Sequence, residues 1–241
     1  MRRTYEEMLQ KAVNTRLTEM SRRRMLRNTA VAGGGLAALA GTTVTFAQDD
    51  ATPEASPVEE ENPFGGPIDV LNYALTLEHL ESAFYAEGLE TFGAADIEAL
   101  GFLPNVYDSI AEIGAHEAAH VETLTTVITD LGGEPVEPGE YDFGYEDAAG
   151  FILTAQALED TGVDAYTGAA QYLIEEDELL TAALTIHGVE ARHAAYLALL
   201  NAENPFPDAF DEPLTPAEVL EIAGPFIVSE DGGDEEATPE G

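Results

Sequence analysis

The chain has 241 residues, of which 45% are hydrophobic, so it can bury one sizeable core. It contains no cysteine, which excludes disulfides, thiolate catalysis and zinc–thiolate sites. From Gln48 onward there are 44 acidic residues and one basic residue, Arg192, and such a polyanion repels nucleic acid and anionic lipid surfaces. An acidic coat is typical of proteins kept soluble in salty surroundings, with an acidic habitat as the alternative.

The first 47 residues have the pattern of an export signal. A basic stretch, SRRRMLR at Ser21–Arg27, precedes an uncharged run rich in glycine and alanine that ends at Ala47. Its paired arginines resemble the twin-arginine signal. We therefore predict a signal peptide over residues 1–47 and a periplasmic, cell-surface or extracellular protein; an uncleaved N-terminal anchor is the alternative. No apolar run reaches the roughly 18 residues of a membrane span, so no stable span is expected after cleavage.

Four helices are predicted after an acidic, proline-rich linker at residues 48–67. Over residues 68–202 apolar residues recur at alternating steps of three and four, which is typical of helices that share a core. The predicted helices are Ile68–Glu90, Asn105–Leu131, Tyr145–Leu173 and Leu179–Leu200.

The connections between these helices predict an all-α fold, a four-helix bundle with one long crossover between helices 2 and 3. Residues 132–143, rich in glycine and proline, are long enough to run from one end of a bundle to the other. Residues 203–241 are predicted to be a C-terminal extension with an acidic tail. It contains a short helix that begins at Pro216, with Thr215 as the N-cap.

Each predicted helix brings an acidic residue to the middle of its apolar seam, two of them with a histidine three positions later. An ionised carboxylate in a core costs several kcal/mol unless it is paired, and clustered carboxylates need a counter-charge. A metal pair would supply that charge, and oxygen with imidazole ligands suits iron or manganese better than zinc or calcium. The alternative is a site that makes only buried hydrogen bonds or holds metal structurally. The predicted ligands are Glu78, Glu117, His120, Glu159, Glu190 and His193.

The order Glu, Glu-x-x-His, Glu, Glu-x-x-His along four helices is the ligand set of carboxylate-bridged di-metal bundles. With the opening LNYALTLEHLESAFYAEG, it resembles the ferritin-like superfamily, and more narrowly the exported ferritin-like domains that include desiccation-related proteins. The resemblance covers about Ile68–Asn201 and implies a ferritin-like bundle with two iron or two manganese ions. Either Glu78 and Glu159 or the carboxylates of the two Glu-x-x-His pairs would bridge the ions.

Other residues are weaker candidates near the ligands. Tyr85 and Tyr166 each follow a ligand carboxylate by seven residues, and we expect them either to donate hydrogen bonds to such carboxylates or to pack in the core. Glu81 and His187 are candidates for extra ligands or for neighbours of the ligands. Two histidines adjoin ligand positions and are expected to point away from the seam: His79 and His116.

The leading functional hypothesis is a ferroxidase-like or peroxide-consuming activity in stress protection, with metal ions and oxygen or peroxide as partners. A rival hypothesis is a non-enzymatic acidic protein of dry or salty habitats with a structural or vestigial metal site. Mineral storage in a cage is the least favoured, because no fifth packed helix is evident. The sequence leaves open the metal, the substrate, the oligomeric state and whether the protein is an enzyme.

Overall fold

Helices make up most of the computed structural model, which describes residues 62–228. The predicted signal peptide, most of the predicted linker and the predicted acidic tail at residues 230–241 lie outside these residues. Within them the all-α prediction is confirmed, since the only pairing of strand type is an isolated bridge between Tyr141 and Ile227. No described helix is both long enough and apolar enough to cross a membrane. The α-helices are α1 (Pro67–Thr91), α2 (Ala94–Ala99), α3 (Asn105–Asp130), α4 (Ala148–Ala169), α5 (Asp177–Leu200) and α6 (Pro216–Ala223).

Local capping explains where the later helices begin. The prediction that the third long helix starts at Tyr145 is wrong, because the side chain of Asp147 accepts a 2.8 Å hydrogen bond from the Gly150 amide and caps α4 there. The predicted cap of α6 is present: Thr215 accepts from the Glu218 amide while Glu218 accepts from the Thr215 amide. After Ala169 the chain tightens into a 3₁₀ turn over Ala170–Leu173.

The four long helices form two pairs, since α1 packs mainly on α3 and α4 on α5. Both pairs are antiparallel, because later residues of one helix meet earlier residues of the other. The contacts are Glu78 with His120 and Tyr85 with Gly114 in the first pair, and Glu159 with His193 and Thr167 with His187 in the second. Between the pairs, Glu78 of α1 contacts Tyr166 of α4 while Tyr85 contacts Glu159. This crossed pairing requires α1 and α4 to run in opposite directions. The order is therefore up, down, down, up, and it requires the long crossover between α3 and α4.

The crossover is fastened to α1 by polar side chains. Asn72 donates to the Glu134 carbonyl and accepts from the Val136 amide at 3.1 and 2.8 Å. His79 lies 3.1 Å from the Val136 carbonyl oxygen, so it points away from the seam as predicted. These contacts satisfy backbone groups of a segment that has no ladder of its own.

The described part of the C-terminal extension belongs to the main core, which the sequence did not indicate. The Leu214 amide donates to the carbonyl of Asp164 on α4 at 3.1 Å, and a β-carbon at Gly168 would collide with the Leu214 carbonyl. Helix α4 is the most enclosed element, with 17 of its 22 residues buried. The extension contributes Leu214, Val219, Ile222, Ala223 and Phe226 to the core.

Candidate metal centre

Four glutamates, one from each long helix, meet in the middle of the bundle. Glu78 of α1, Glu117 of α3, Glu159 of α4 and Glu190 of α5 are all 0% exposed. Each follows a buried apolar residue on the same helix face by three or four positions, so the helix that buries that residue must bury the carboxylate as well. These preceding residues are Leu75, Ile113, Ala155 and Ile186. The four predicted carboxylates thus share one depth in the core.

The two predicted histidines complete the cluster through the same ring nitrogen. His120 Nδ1 lies 3.1 Å from Glu78 Oε2, 3.1 Å from Glu117 Oε2 and 3.2 Å from Glu190 Oε1. His193 Nδ1 lies 3.0 Å from Glu117 Oε1 and 3.2 Å from Glu159 Oε2. Both rings therefore present a possible ligand atom to the carboxylates rather than to solvent.

These contacts divide the cluster into two overlapping groups of four. In each group one possible ligand atom per residue lies within 4.8 Å of the others. Glu117 and Glu190 belong to both groups, so the geometry favours them as bridges over Glu78 and Glu159. The first group adds Glu78 and His120 to this shared pair, and the second adds Glu159 and His193.

Three carboxylate oxygens in the cluster lack a hydrogen-bond donor: Glu117 Oε1 and both oxygens of Glu190. Histidine nitrogens lie 3.0 Å and 3.2 Å from Glu117 Oε1 and Glu190 Oε1, but without the alignment of a hydrogen bond. Buried acceptors of this kind normally have partners. The orphaned oxygens belong to the two shared glutamates, where a pair of cations would need them, so the residues present fit a metal pair.

Two buried tyrosines hold the other carboxylates from across the bundle. Tyr85 of α1 donates to Glu159 Oε1 at 2.6 Å, and Tyr166 of α4 donates to Glu78 Oε1. Each tyrosine therefore serves the carboxylate of the opposite helix and not the one on its own. The hydrogen bonds leave the second oxygen of Glu78 and of Glu159 facing a histidine.

The electrostatics of the cluster show a shortage of positive charge. Burial raises the pKa of Glu78 to about 8. Burial and the neighbouring carboxylates hold the pKa of Glu81 and of Glu159 well above the usual range. Burial also opposes ionisation of Glu117, but the imidazoles of His120 and His193, whose Nδ1 atoms lie 3.1 and 3.0 Å from its two oxygens, outweigh burial and lower its pKa to about 2. Without metal, protons must therefore supply much of the counter-charge.

His120 is the partner that keeps Glu117 ionised. Burial would lower the pKa of this imidazole, but the neighbouring carboxylates of Glu117, Glu190 and Glu78 raise it to about 12. A proton on Nδ1 thus supplies positive charge that a bound cation would replace. Metal binding should release protons, as expected when a ligand must deprotonate.

Of the two candidate extra ligands, Glu81 lies next to the cluster and His187 does not. Glu81 is 3% exposed and lies beside the cluster, since its Oε1 and Glu190 Oε2 are both 3.1 Å from a β-carbon placed at Gly162. His187 lies outside both groups of possible ligands: its Nε2 is 3.0 Å from Thr167 Oγ1, in the lining of a surface cavity of about 440 Å³.

His116 is exposed and belongs to neither group of possible ligands, as expected of a residue off the seam, but it contacts one of the predicted ligands. Its Nδ1 lies 2.9 Å from Nε2 of His193, with the two rings nearly parallel. Adjacency to Glu117 in sequence carried no signal for this contact, which depends on how α3 packs against α5.

Because Gly162 has no side chain, the carboxylates of Glu81 and Glu190 can approach its backbone closely. The variant Gly162→Ala tests whether metal binding requires this space. We expect metal affinity to fall at least tenfold, because the added methyl group would lie 3.1 Å from Glu190 Oε2 and Glu81 Oε1 and must displace them. Gly188→Ala on α5 is the matched control, since nothing lies within 4 Å of its β-carbon; it should leave affinity unchanged and stabilise the helix by up to about 1 kcal/mol. Equal metal affinity in both variants, measured by titration, would contradict this role.

Comparison with known proteins agrees with this geometry. A family model described as a ferritin-like domain matches residues 66–203, the part of the chain that contains every predicted ligand. No curated protein matches the chain.

Proposed function

This chain belongs to the ferritin-like domain family, and we propose that its buried cluster binds two ions of iron or manganese and uses them to react with oxygen or peroxide. The observation that carries the proposal is that Glu117 and Glu190 belong to both groups of possible ligands and have three buried oxygens without a hydrogen-bond partner. We further propose that this activity is ferroxidase-like or peroxide-consuming and that it serves in stress protection.

The chemistry itself would come from the metals, since two adjacent redox-active ions supply the two electrons that reduce oxygen or peroxide. The protein contains no cysteine thiol for such chemistry. Its own residues hold the site: six side chains from four helices provide oxygen and nitrogen ligand atoms, and Tyr85 and Tyr166 orient two of the carboxylates. Apolar clusters around Phe84 and around Leu75 enclose the polar centre.

Reconstitution with each metal separately tests this function. With iron we expect oxidation of Fe(II) that depends on oxygen or peroxide; with manganese we expect disproportionation of peroxide. His120→Ala and Glu190→Ala are the controls, and both rates should fall to those of free metal because the site loses a ligand. Two bound ions per chain with rates no greater than the controls would make the site structural, and purified protein without metal would favour the non-enzymatic alternative.

We also propose that the protein is exported by the twin-arginine route. The support is the run SRRRMLR ahead of an apolar segment at residues 29–47. Replacing Arg22, Arg23 and Arg24 together by lysine keeps the charge but removes every arginine pair there, and we expect the protein to remain in the cytoplasm. Normal export of this variant would contradict the proposal. Exported wild-type protein should begin near Gln48, and an intact Met1 would favour the uncleaved anchor instead.

A further inference from the structure

His193 is held from both sides of its imidazole ring. Nδ1 faces Glu117 and Glu159 within the cluster, and Nε2 lies 2.9 Å from Nδ1 of His116. The two rings are tilted by only 12° and their centroids are 5.2 Å apart, so the nitrogens meet edge to edge. His193 is 5% exposed, whereas His116 is exposed. The contact therefore links a buried possible ligand to a solvated side chain.

The other half of the bundle lacks such a partner. The two Glu-x-x-His segments align without a gap, and the position before the glutamate is His116 on α3 but Val189 on α5. Among the described residues, His120 makes no hydrogen bond through Nε2; its contacts all use Nδ1. The two groups of possible ligands are thus nearly symmetric in their donors but unequal in what supports their histidines.

The contact decides which nitrogen of His193 carries the proton when a metal is bound. A neutral imidazole has one N–H, and a ring that binds metal through Nδ1 must keep its proton on Nε2. That N–H can donate to Nδ1 of His116, whose own proton is then on Nε2. Partners of this kind fix the tautomer and orientation of a ligand histidine, and their loss typically weakens metal binding about 10–100-fold.

We propose that His116 is a positioning residue for His193 and makes the position formed by Glu117, Glu159, Glu190 and His193 the tighter of the two metal sites. This inference rests on the proposed function only in requiring that the cluster bind metal.

The test is a titration of the metal-free protein with Mn²⁺, in which free Mn²⁺ is followed by electron paramagnetic resonance. The wild type should show one tight and one weaker ion per chain. His193→Ala should lose the tight ion and His120→Ala the weaker one. His116→Ala should weaken the tight ion about 10–100-fold and leave the other unchanged. His116→Asn should restore most of the affinity, because its Oδ1 takes the place of Nδ1 as the acceptor.

His79→Ala is the matched control, since His79 also adjoins a ligand position but bonds to the backbone of Val136; both affinities should remain as in the wild type. A second measurement does not depend on affinity: ¹⁵N spectra of the Zn²⁺-loaded protein should show His193 as the Nε2–H tautomer in the wild type and His116→Asn, with a changed Nε2 signal in His116→Ala.

Three results would overturn the proposal: an unchanged tight ion in His116→Ala, no rescue by His116→Asn, or loss of the tight ion from His120→Ala and not from His193→Ala. Wild-type protein that binds neither Mn²⁺ nor Zn²⁺ would overturn the proposed function as well, so the two failures are distinct.

Discussion

Glu190→Ala is expected to remove both metal ions, whereas His120→Ala and His193→Ala should each remove one. Glu190 belongs to both groups of possible ligands, but each histidine belongs to one. Losing a shared carboxylate takes away the bridge and one of the negative charges that hold the second cation. Metal per chain, measured after reconstitution and desalting, should fall from two to near zero for Glu190→Ala and to one for each histidine variant.

The matched control for this series is Glu178→Ala, since Glu178 is an exposed glutamate in the first turn of the same helix. It should retain both ions, which would show that the loss in Glu190→Ala is not a general effect of removing an acidic residue. One full equivalent of metal in Glu190→Ala would mean that Glu190 is not shared. Two equivalents in either histidine variant would mean that the imidazole is not a ligand.

The metal-free protein is expected to lose stability as the pH rises from about 5 to 8. Glu78 has an ordinary pKa of 4.5 and a folded pKa of about 8, so it holds a proton in the folded state that it loses in the unfolded chain. Its stabilising contribution is complete below pH 4.5 and is lost by pH 8. His120, raised from 6.5 to about 12, acts in the same direction above pH 6.5.

The contribution of Glu117 to stability rises with pH, opposite to that of Glu78 and His120, but it changes in a lower pH range. Its pKa falls from 4.5 to about 2 on folding, so its contribution is present above pH 4.5 and is lost only in stronger acid. The metal-free protein should therefore be most stable near pH 4.5, where the contribution of Glu117 is complete and that of Glu78 has only begun to decline. Above pH 5, Glu78 and His120 each lower the free energy of unfolding by up to about 1.4 kcal/mol per pH unit within their titration ranges. We therefore expect the melting temperature at pH 8 to be roughly 10 °C below that at pH 5.

Bound metal should remove this pH dependence, because cations replace the protons and bind better as protons leave. Melting curves at pH 5, 6.5 and 8, with chelator and with Mn²⁺, measure the effect. Glu78→Gln should flatten the metal-free curve because its amide does not titrate, and 1 M salt should leave the slope because it screens mainly surface charges. A metal-free melting temperature that rises from pH 5 to 8, or that ignores metal, would contradict the prediction.

Periodicity was sufficient to predict the four long helices and to bring the six candidate ligands together. A carboxylate on an apolar seam is buried along with its neighbours, so its depth follows from its position in the helix. The sharing of Glu117 and Glu190 between the two groups did not follow from periodicity, because Glu78 and Glu117 are equally buried and differ only in which neighbours they reach. The contact of His116 with His193 could not be predicted either, since it joins residues 77 apart across two helices.

The start of α4 and the role of the C-terminal extension depended on interactions beyond helical periodicity. Tyr145 fits the apolar pattern of the helix, yet it lies in the preceding loop because the N-cap at Asp147 starts the helix after it. The sequence does not distinguish Gly168 from other small residues in helices, although the backbone of Leu214 packs directly against it. The contact between Leu214 and Gly168 could not be predicted because the proline-rich segment between Asn201 and Thr215 can turn in several directions.

The close approach of Leu214 to Gly168 has a consequence for the order in which the protein is made. A ribosome will have synthesised every long helix by Leu200, yet one side of α4 stays uncovered until residues 214–226 emerge. The bundle therefore remains incomplete on that side until nearly all of the described chain has been translated. A chain terminated after residue 203, where the family match ends, would leave that apolar side open and is expected to aggregate while the full chain stays soluble.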